Sequence, residues 1–265
     1  MEGTAKNGQS CPACDQVICD ELKKYGHEQW RIVRCSDCNF VYLKNPPGYA
    51  AMVDEFAWEK TSKTEISRRL KKRPVAARLS RKSRWRLGFG GRSFDKVGNY
   101  FPSGKILDIG CGAGNLKFGE NTIPFGIEIS RSLHAVSDAK MKKLGGYVVH
   151  APAIDGVKQF DDEFFDGVVM FSYLEHEQYP LEVLKQVSRI LKPGGRAYVR
   201  VPNFGSINRV VMGGNWCGFR YPDHTNYFTT RSLKHMAAGA GLGYLGINTF
   251  SSVFDDNITA LLPKQ

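Results

Sequence analysis

ILDIGCGAGN, residues 106–115, runs a short apolar strand into a turn with glycine at every second position. Glycine there lets the chain leave a strand sharply and lets a ligand approach bare backbone. In FGIEIS (125–130), Glu128 closes the next apolar run. An acid at that place can accept two hydrogen bonds from ribose hydroxyls. The spacing is G-x-G-x-G, and Asn115 stands where a dinucleotide fingerprint needs its third glycine, which disfavours a nicotinamide cofactor. The plainer alternative is an ordinary tight turn with a solvated Glu128. Two features in register argue against it.

Outward from this turn, strands alternate with helices. Apolar runs predict strands at 105–109, 124–129, 147–149, 164–171 and 196–201. Between them, 131–144 and 181–191 read as helices, the second ended by Pro193-Gly194-Gly195. Thr230 caps a further expected helix, and two strand-like runs near 243–250 and 256–262 suggest an antiparallel hairpin at the sheet edge. The pattern implies an α/β fold with a mostly parallel sheet and helices on both faces.

The chain has 265 residues, 42% hydrophobic and 24% charged, enough for a sizeable core and too apolar for a wholly disordered chain. No apolar run approaches the ~20 residues of a membrane span, and the start lacks the apolar segment of a signal peptide. The expectation is a cytoplasmic protein. The net charge of +11 is local: residues 60–92 hold thirteen Lys/Arg against one acid, Glu65, and the rest sums to −1. Such a run is a solvated helical face, a site for anionic substrate, or a nucleic-acid track. With only Trp85 and Phe89 as rings in it, the first two readings are preferred to the third.

Of seven cysteines, Cys11, Cys14, Cys35 and Cys38 form C-x2-C, twenty residues, C-x2-C. Four thiolates suit a tetrahedral zinc ion and leave no open coordination position, so the expected zinc is structural. The alternative is four unrelated reduced thiols. The organisation read from the sequence is a zinc ribbon over 1–45, a basic, helical connecting segment over 46–95, and a cofactor-binding domain over 96–265.

Four stretches in order, ILDIGCGAGN, FGIEIS, FDGVVMFSYLEHEQYP and ILKPGGRAYVRVPN, resemble the class I S-adenosylmethionine-dependent methyltransferases. The resemblance implies a Rossmann-like seven-stranded methyltransferase sheet beside the small N-terminal zinc ribbon. It implies that Asp108, Gly110, Gly112 and Gly114 hold the methionine and ribose parts of S-adenosylmethionine and Glu128 its ribose hydroxyls. The whole chain is similar to bacterial ribbon-bearing methyltransferases of sugar, polysaccharide and natural-product pathways, a likeness extended by the aromatic 214–228 stretch. Two departures stand out. The interval from Gly114 to Glu128 is short, so the first helix should be clipped by about a turn. The Gly-Asp that meets adenine is absent, with Asp155 the nearest substitute.

Tyr173-x-Glu175-His176 resembles the Y-x-E-H segment of that ribbon-bearing group, which implies His176 as base with Glu175 and Tyr173 orienting it or binding substrate. The alternative is that Glu175 and His176 cap or pack the next helix. His224, among Trp216, Phe219, Tyr221, Tyr227 and Phe228, is a second candidate for base or acceptor contact. Those rings either shape an acceptor pocket or form a satellite core. The function expected is methyl transfer to a small-molecule acceptor, anionic in one reading of the basic run. An RNA or protein methyltransferase and a catalytically silent binding module are the alternatives.

Overall fold

A computed structural model describes residues 10–48, 97–247 and 255–265. The basic run at 60–92, and the connecting segment beyond residue 48, lie outside the described residues.

The expected parallel core is present. Strands β4 (Ser103–Ile109), β5 (Asn121–Ile127), β6 (Val148–Val149), β7 (Phe165–Phe171) and β8 (Leu191–Pro202) pair in parallel. With β10 (Leu245–Gly246) and β11 (Asn257–Pro263), the seven-stranded order is β10-β11-β8-β7-β4-β5-β6. The last two strands form the expected antiparallel hairpin, and β11 also pairs antiparallel with β8. Helix α1 (Arg131–Lys142) starts on Ser130, whose hydroxyl accepts the Leu133 amide. Helix α2 (Ala153–Gly156) is a single turn, and α3 (Pro180–Ile190) buries Val183, Leu184, Val187 and Ile190. Strand β8 starts five residues before the sequence suggests, because Pro193-Gly194-Gly195 forms an irregularity inside the strand rather than a stop; the register with β7 shifts there.

The expected clipped helix after the glycine turn is absent. The stretch 110–120 has turns and no helix. Length explains this. The seven residues of β4 rise about 23 Å, and the return from the end of β4 to the start of β5 must cover that span in 110–120. A helix over the same stretch would cover only about 16 Å, so the chain runs extended. It lies flat on the preceding turn: a Cβ on Gly119 would meet the Pro102 carbonyl oxygen at 2.6 Å, and one on Gly98 the Lys117 carbonyl oxygen at 2.6 Å.

The N-terminal unit forms a second sheet, ordered β1 (Cys19–Glu21), β2 (Ile32–Cys35), β3 (Val41–Leu43) and β9 (Asn226–Tyr227). Its last strand comes from the aromatic stretch far along the chain. Helix α4 (Ile207–Met212) and α5 (Thr230–Gly239) flank that stretch. Ile32, Val41 and Leu43 share a buried cluster with Phe204, Trp216, Phe219 and Tyr227. Val33, Phe40 and Tyr42 continue into the main core through Phe228 and Leu233. Most of the rings are thus packing.

Candidate functional site

The sheet order reverses at β4, whose successors run outward one way to β6 and then resume at β7 on its other side. Crevices beyond the carboxyl ends of strands at such a reversal are where open α/β sheets bind ligands. Here the ends of β4, β5 and β7 deliver Gly110–Gly114, Glu128 and the 172–177 turn.

Gly110, Gly112 and Gly114 all have positive φ, 73°, 55° and 63°. The alternate-glycine spacing therefore records three left-handed residues, a conformation costly to side chains. Their surroundings differ. A Cβ on Gly110 would strike the Tyr173 ring at 2.6 Å, and one on Gly114 would press Ser137 at 3.2 Å. At Gly112 nothing lies within 4 Å. That open, side-chain-free position is the cradle a nucleoside needs. Glu128 is buried, with Oε2 accepting the Gly112 amide and Oε1 the Ser130 amide, both at 2.8 Å. Each oxygen keeps lone-pair capacity for a hydroxyl. Asp108, near the end of β4, is buried; burial, then the Glu128 charge, raises its carboxyl well above the usual range. These residues fit an adenosyl donor. Asp155 is exposed at its side chain and pairs with Lys158 at 3.3 Å.

The four cysteines of the paired motif converge. Cys11 and Cys38, and Cys14 and Cys35, have sulfurs 3.6 Å apart, and Cys14 and Cys38 3.4 Å. A tetrahedral zinc–thiolate site has sulfur separations of about 3.8 Å. The two knuckles repeat one geometry. Asp15 and Asn39, each following a second cysteine, have φ of 59° and 61° and donate their amides to the Cys11 and Cys35 carbonyls. Burial pushes the Cys11 thiol up, and burial raises Cys38 to about 12. Cys35 is shifted the other way, down, against burial and helped by the backbone at Cys38 and Asp37, and a cation among the four sulfurs would favour their thiolate forms. The donor set fits zinc.

At the carboxyl end of β7, Ser172 leaves the strand with φ 55° and starts a tight turn. The Tyr173 hydroxyl donates to Glu177, whose other oxygen accepts the Tyr179 amide at 2.9 Å. His176 donates from Nδ1 to the Asp223 carbonyl and His224 from Nδ1 to the Gly218 carbonyl, both at 2.8 Å. A carbonyl only accepts, so in each neutral ring Nε2 carries the lone pair. The rings meet edge to face with centroids 4.7 Å apart. Glu175, His176 and His224 bring one donor atom each within 4.8 Å of one another. Glu175 is buried, and its Oε2 has no hydrogen-bond partner. Burial raises its carboxyl to about 8, an effect partly offset by Arg200 and Arg220. Burial, then Arg220, lowers His176 to about 4. Both shifts favour the uncharged form.

The sequence reading missed Glu177, Asp223, Thr225 and Asn226, all buried. The polar run 223–226 stands out inside an otherwise aromatic stretch, but nothing in it marks the distant carbonyls it meets, and Glu177 carries no such signal.

Residues 71–245 match the methyltransferase-domain family. The chain belongs to that family, and its seven-stranded sheet is that of the class I S-adenosylmethionine-dependent methyltransferase fold. It is 27% identical over 164 residues to a ubiquinone biosynthesis O-methyltransferase of Aeromonas salmonicida, covering 56% of this chain and 66% of that protein. It is 30% identical over 108 residues to a 2-phytyl-1,4-naphtoquinone methyltransferase of Synechococcus elongatus, covering 37% and 46%. The match thus spans just under two thirds of the first relative and under half of the second. A solved methyltransferase of Thermotoga maritima, described as a possible histamine N-methyltransferase, shares the fold with TM-score 0.50 at 21% identity, over 71% of this chain and 96% of that one. Among the described residues no helix is long and apolar enough to cross a membrane.

Proposed function

We propose that the protein transfers a methyl group from S-adenosylmethionine to a hydroxyl of a small-molecule acceptor, with His176 taking the acceptor's proton. The observation carrying this reading is the juxtaposition at one sheet reversal of the glycine cradle with Glu128 and a turn bearing a neutral, oriented imidazole. When bound, S-adenosylmethionine supplies a methyl on a sulfonium, already activated for displacement. The chain's own work is then alignment and proton removal. Gly110, Gly112, Gly114, Asp108 and Glu128 hold the donor. Tyr173, tied to Glu177, lies against Gly110 and orients the groups between the two sides. His176 receives the proton on Nε2 while its Nδ1–H stays on the Asp223 carbonyl. His224, its Nδ1 on the Gly218 carbonyl, stands edge to face beside it. Cys11, Cys14, Cys35 and Cys38 hold a structural Zn2+.

The acceptor we favour is a sugar, polysaccharide precursor or natural-product intermediate, on the ribbon-bearing resemblance. Quinone-ring acceptors, as in the names of the matched relatives, are the comparison class. The test is methyl transfer from labelled donor to panels of hydroxylated sugars, phenolic and quinol rings, RNA and protein. Turnover confined to small molecules, lost in His176→Ala with donor affinity kept within twofold, supports the reading. Label in RNA or protein overturns the acceptor class, and label nowhere despite donor binding marks a silent module.

A further inference from the structure

Strand β9 has two residues, too few to stand alone. It lies between two partners. On one side is the ribbon: Val41 pairs with Tyr227 and Tyr42 with Asn226, and the Leu43 amide donates to the Thr225 carbonyl at 2.8 Å. On the other is the 173–177 turn. The amides of Thr225 and Asn226 both donate to the Glu175 carbonyl, at 2.8 and 3.1 Å. The Asn226 side chain spends its two N–H groups on the Leu174 and Glu177 carbonyls, at 2.8 and 2.5 Å. Thr225 Oγ1 adds longer contacts of 3.3 Å to the Glu175 and Glu177 carbonyls.

Within itself the turn has less. The His176 amide reaches the Tyr173 carbonyl at 2.9 Å and the Glu177 amide the Leu174 carbonyl at 3.4 Å. The carbonyls of Leu174, Glu175 and Glu177 face a buried strand whose other edge is the ribbon. Asp223, which accepts from His176, is two residues before Thr225. The ribbon's exit also reaches the turn, where the Gln178 side chain donates to the Pro47 carbonyl at 2.7 Å. The contacts run in series from the knuckle through β3 and β9 to the turn and its histidine.

We infer that the ribbon is a working part of the acceptor side: its strand β3 templates β9, and Asn226 is the positioning residue that holds the Tyr173–Glu177 turn and thereby aims His176. This rests on the methyl-transfer reading for the role of the turn, and not for the mechanical coupling. A ribbon that only stabilised its own segment would have no such transmission.

The test uses full-length, zinc-loaded protein, Asn226→Asp, which keeps the size and removes both donors, and Asn226→Ala. A third arm withdraws zinc from the wild type with a chelator. Amide exchange over 172–179, the NMR titration midpoint of His176, and calorimetric affinity for S-adenosylhomocysteine are measured. Expected is at least tenfold faster exchange over 172–179 and a His176 midpoint rising toward the ordinary imidazole value in all three arms, with affinity within twofold of wild type. Zinc withdrawal that frees 11–43 to exchange while 172–179 stays protected overturns the inference, as does an Asn226→Asp protein with an unaltered His176 midpoint. Wild-type protein that fails to bind S-adenosylhomocysteine counts against methyl transfer instead, since the exchange arms still read the coupling.

Discussion

The two sides of the proposed site, the one assigned to the methyl donor and the one assigned to the acceptor, are built in opposite ways. Asp108, the glycine turn, Glu128 and Ser130 lie within one β-turn-β passage, and their geometry follows from consecutive residues. The acceptor side joins residues near 11–47, 172–179 and 218–229, with bonds crossing most of the chain. The first kind of site is fixed by local backbone chemistry. The second exists only after distant segments have paired, so it should fail separately from the first.

The largest effect that would expose this difference is in the ribbon. Cys35→Ser should reduce turnover at least a hundredfold, because structural zinc sites supply folding energy outright, and calorimetry should still find donor affinity within a fewfold of wild type. A parallel collapse of donor binding would erase the distinction. Gly110→Ala attacks the opposite side. It forces a side chain into left-handed backbone, costing about 1–2 kcal/mol, and into the Tyr173 ring. Donor affinity should fall well over tenfold, with a lowered Tm, while exchange within the ribbon stays unchanged. Glu128→Gln should weaken the donor about tenfold, or about 1.4 kcal/mol, since one charge-assisted acceptor of the Gly112 amide is lost.

A pH series sharpens the comparison from the acceptor side. Glu175 is raised from its ordinary value of 4.5 to about 8. Between those values the folded state binds more protons than the unfolded one, so this contribution is full below about 4.5 and is lost as pH rises through about 8. His176 is lowered from 6.5 to about 4, so its contribution is full above 6.5 and is lost as pH falls through 4. Glu175→Gln should therefore flatten the alkaline decline of Tm between pH 5 and 9 and leave the acid limb in place. The smallest effect is expected at Asp155. Its exposed i,i+3 pair with Lys158 is worth about 0.2–0.5 kcal/mol, and Asp155→Ala should alter donor affinity less than twofold. A tenfold loss would assign it the adenine contact.

The same contrast explains what was legible in the sequence. The strands, the edge hairpin, the four-cysteine unit, the glycine turn and Glu128 could be read because each is a local pattern of period, spacing or turn chemistry. The missing helix after Gly114 could be sensed as a shortage of residues, yet its replacement by an extended return depends on the length of β4. Asn226 and Glu177 were not legible. An asparagine whose amide protons go to carbonyls some fifty positions away looks, in sequence, like any loop asparagine. The aromatic rings read as pocket or packing, and Trp216, Phe219 and Tyr227 sit in a buried cluster with the ribbon.

Because β9 belongs to the ribbon sheet, segments 11–45 and 203–228 form one packing unit despite their separation in the chain. A chimera that imports either one from a relative would present mismatched edges at Tyr42 and Asn226. On the acceptor role proposed above, a redesign of acceptor preference has to transplant both pieces together.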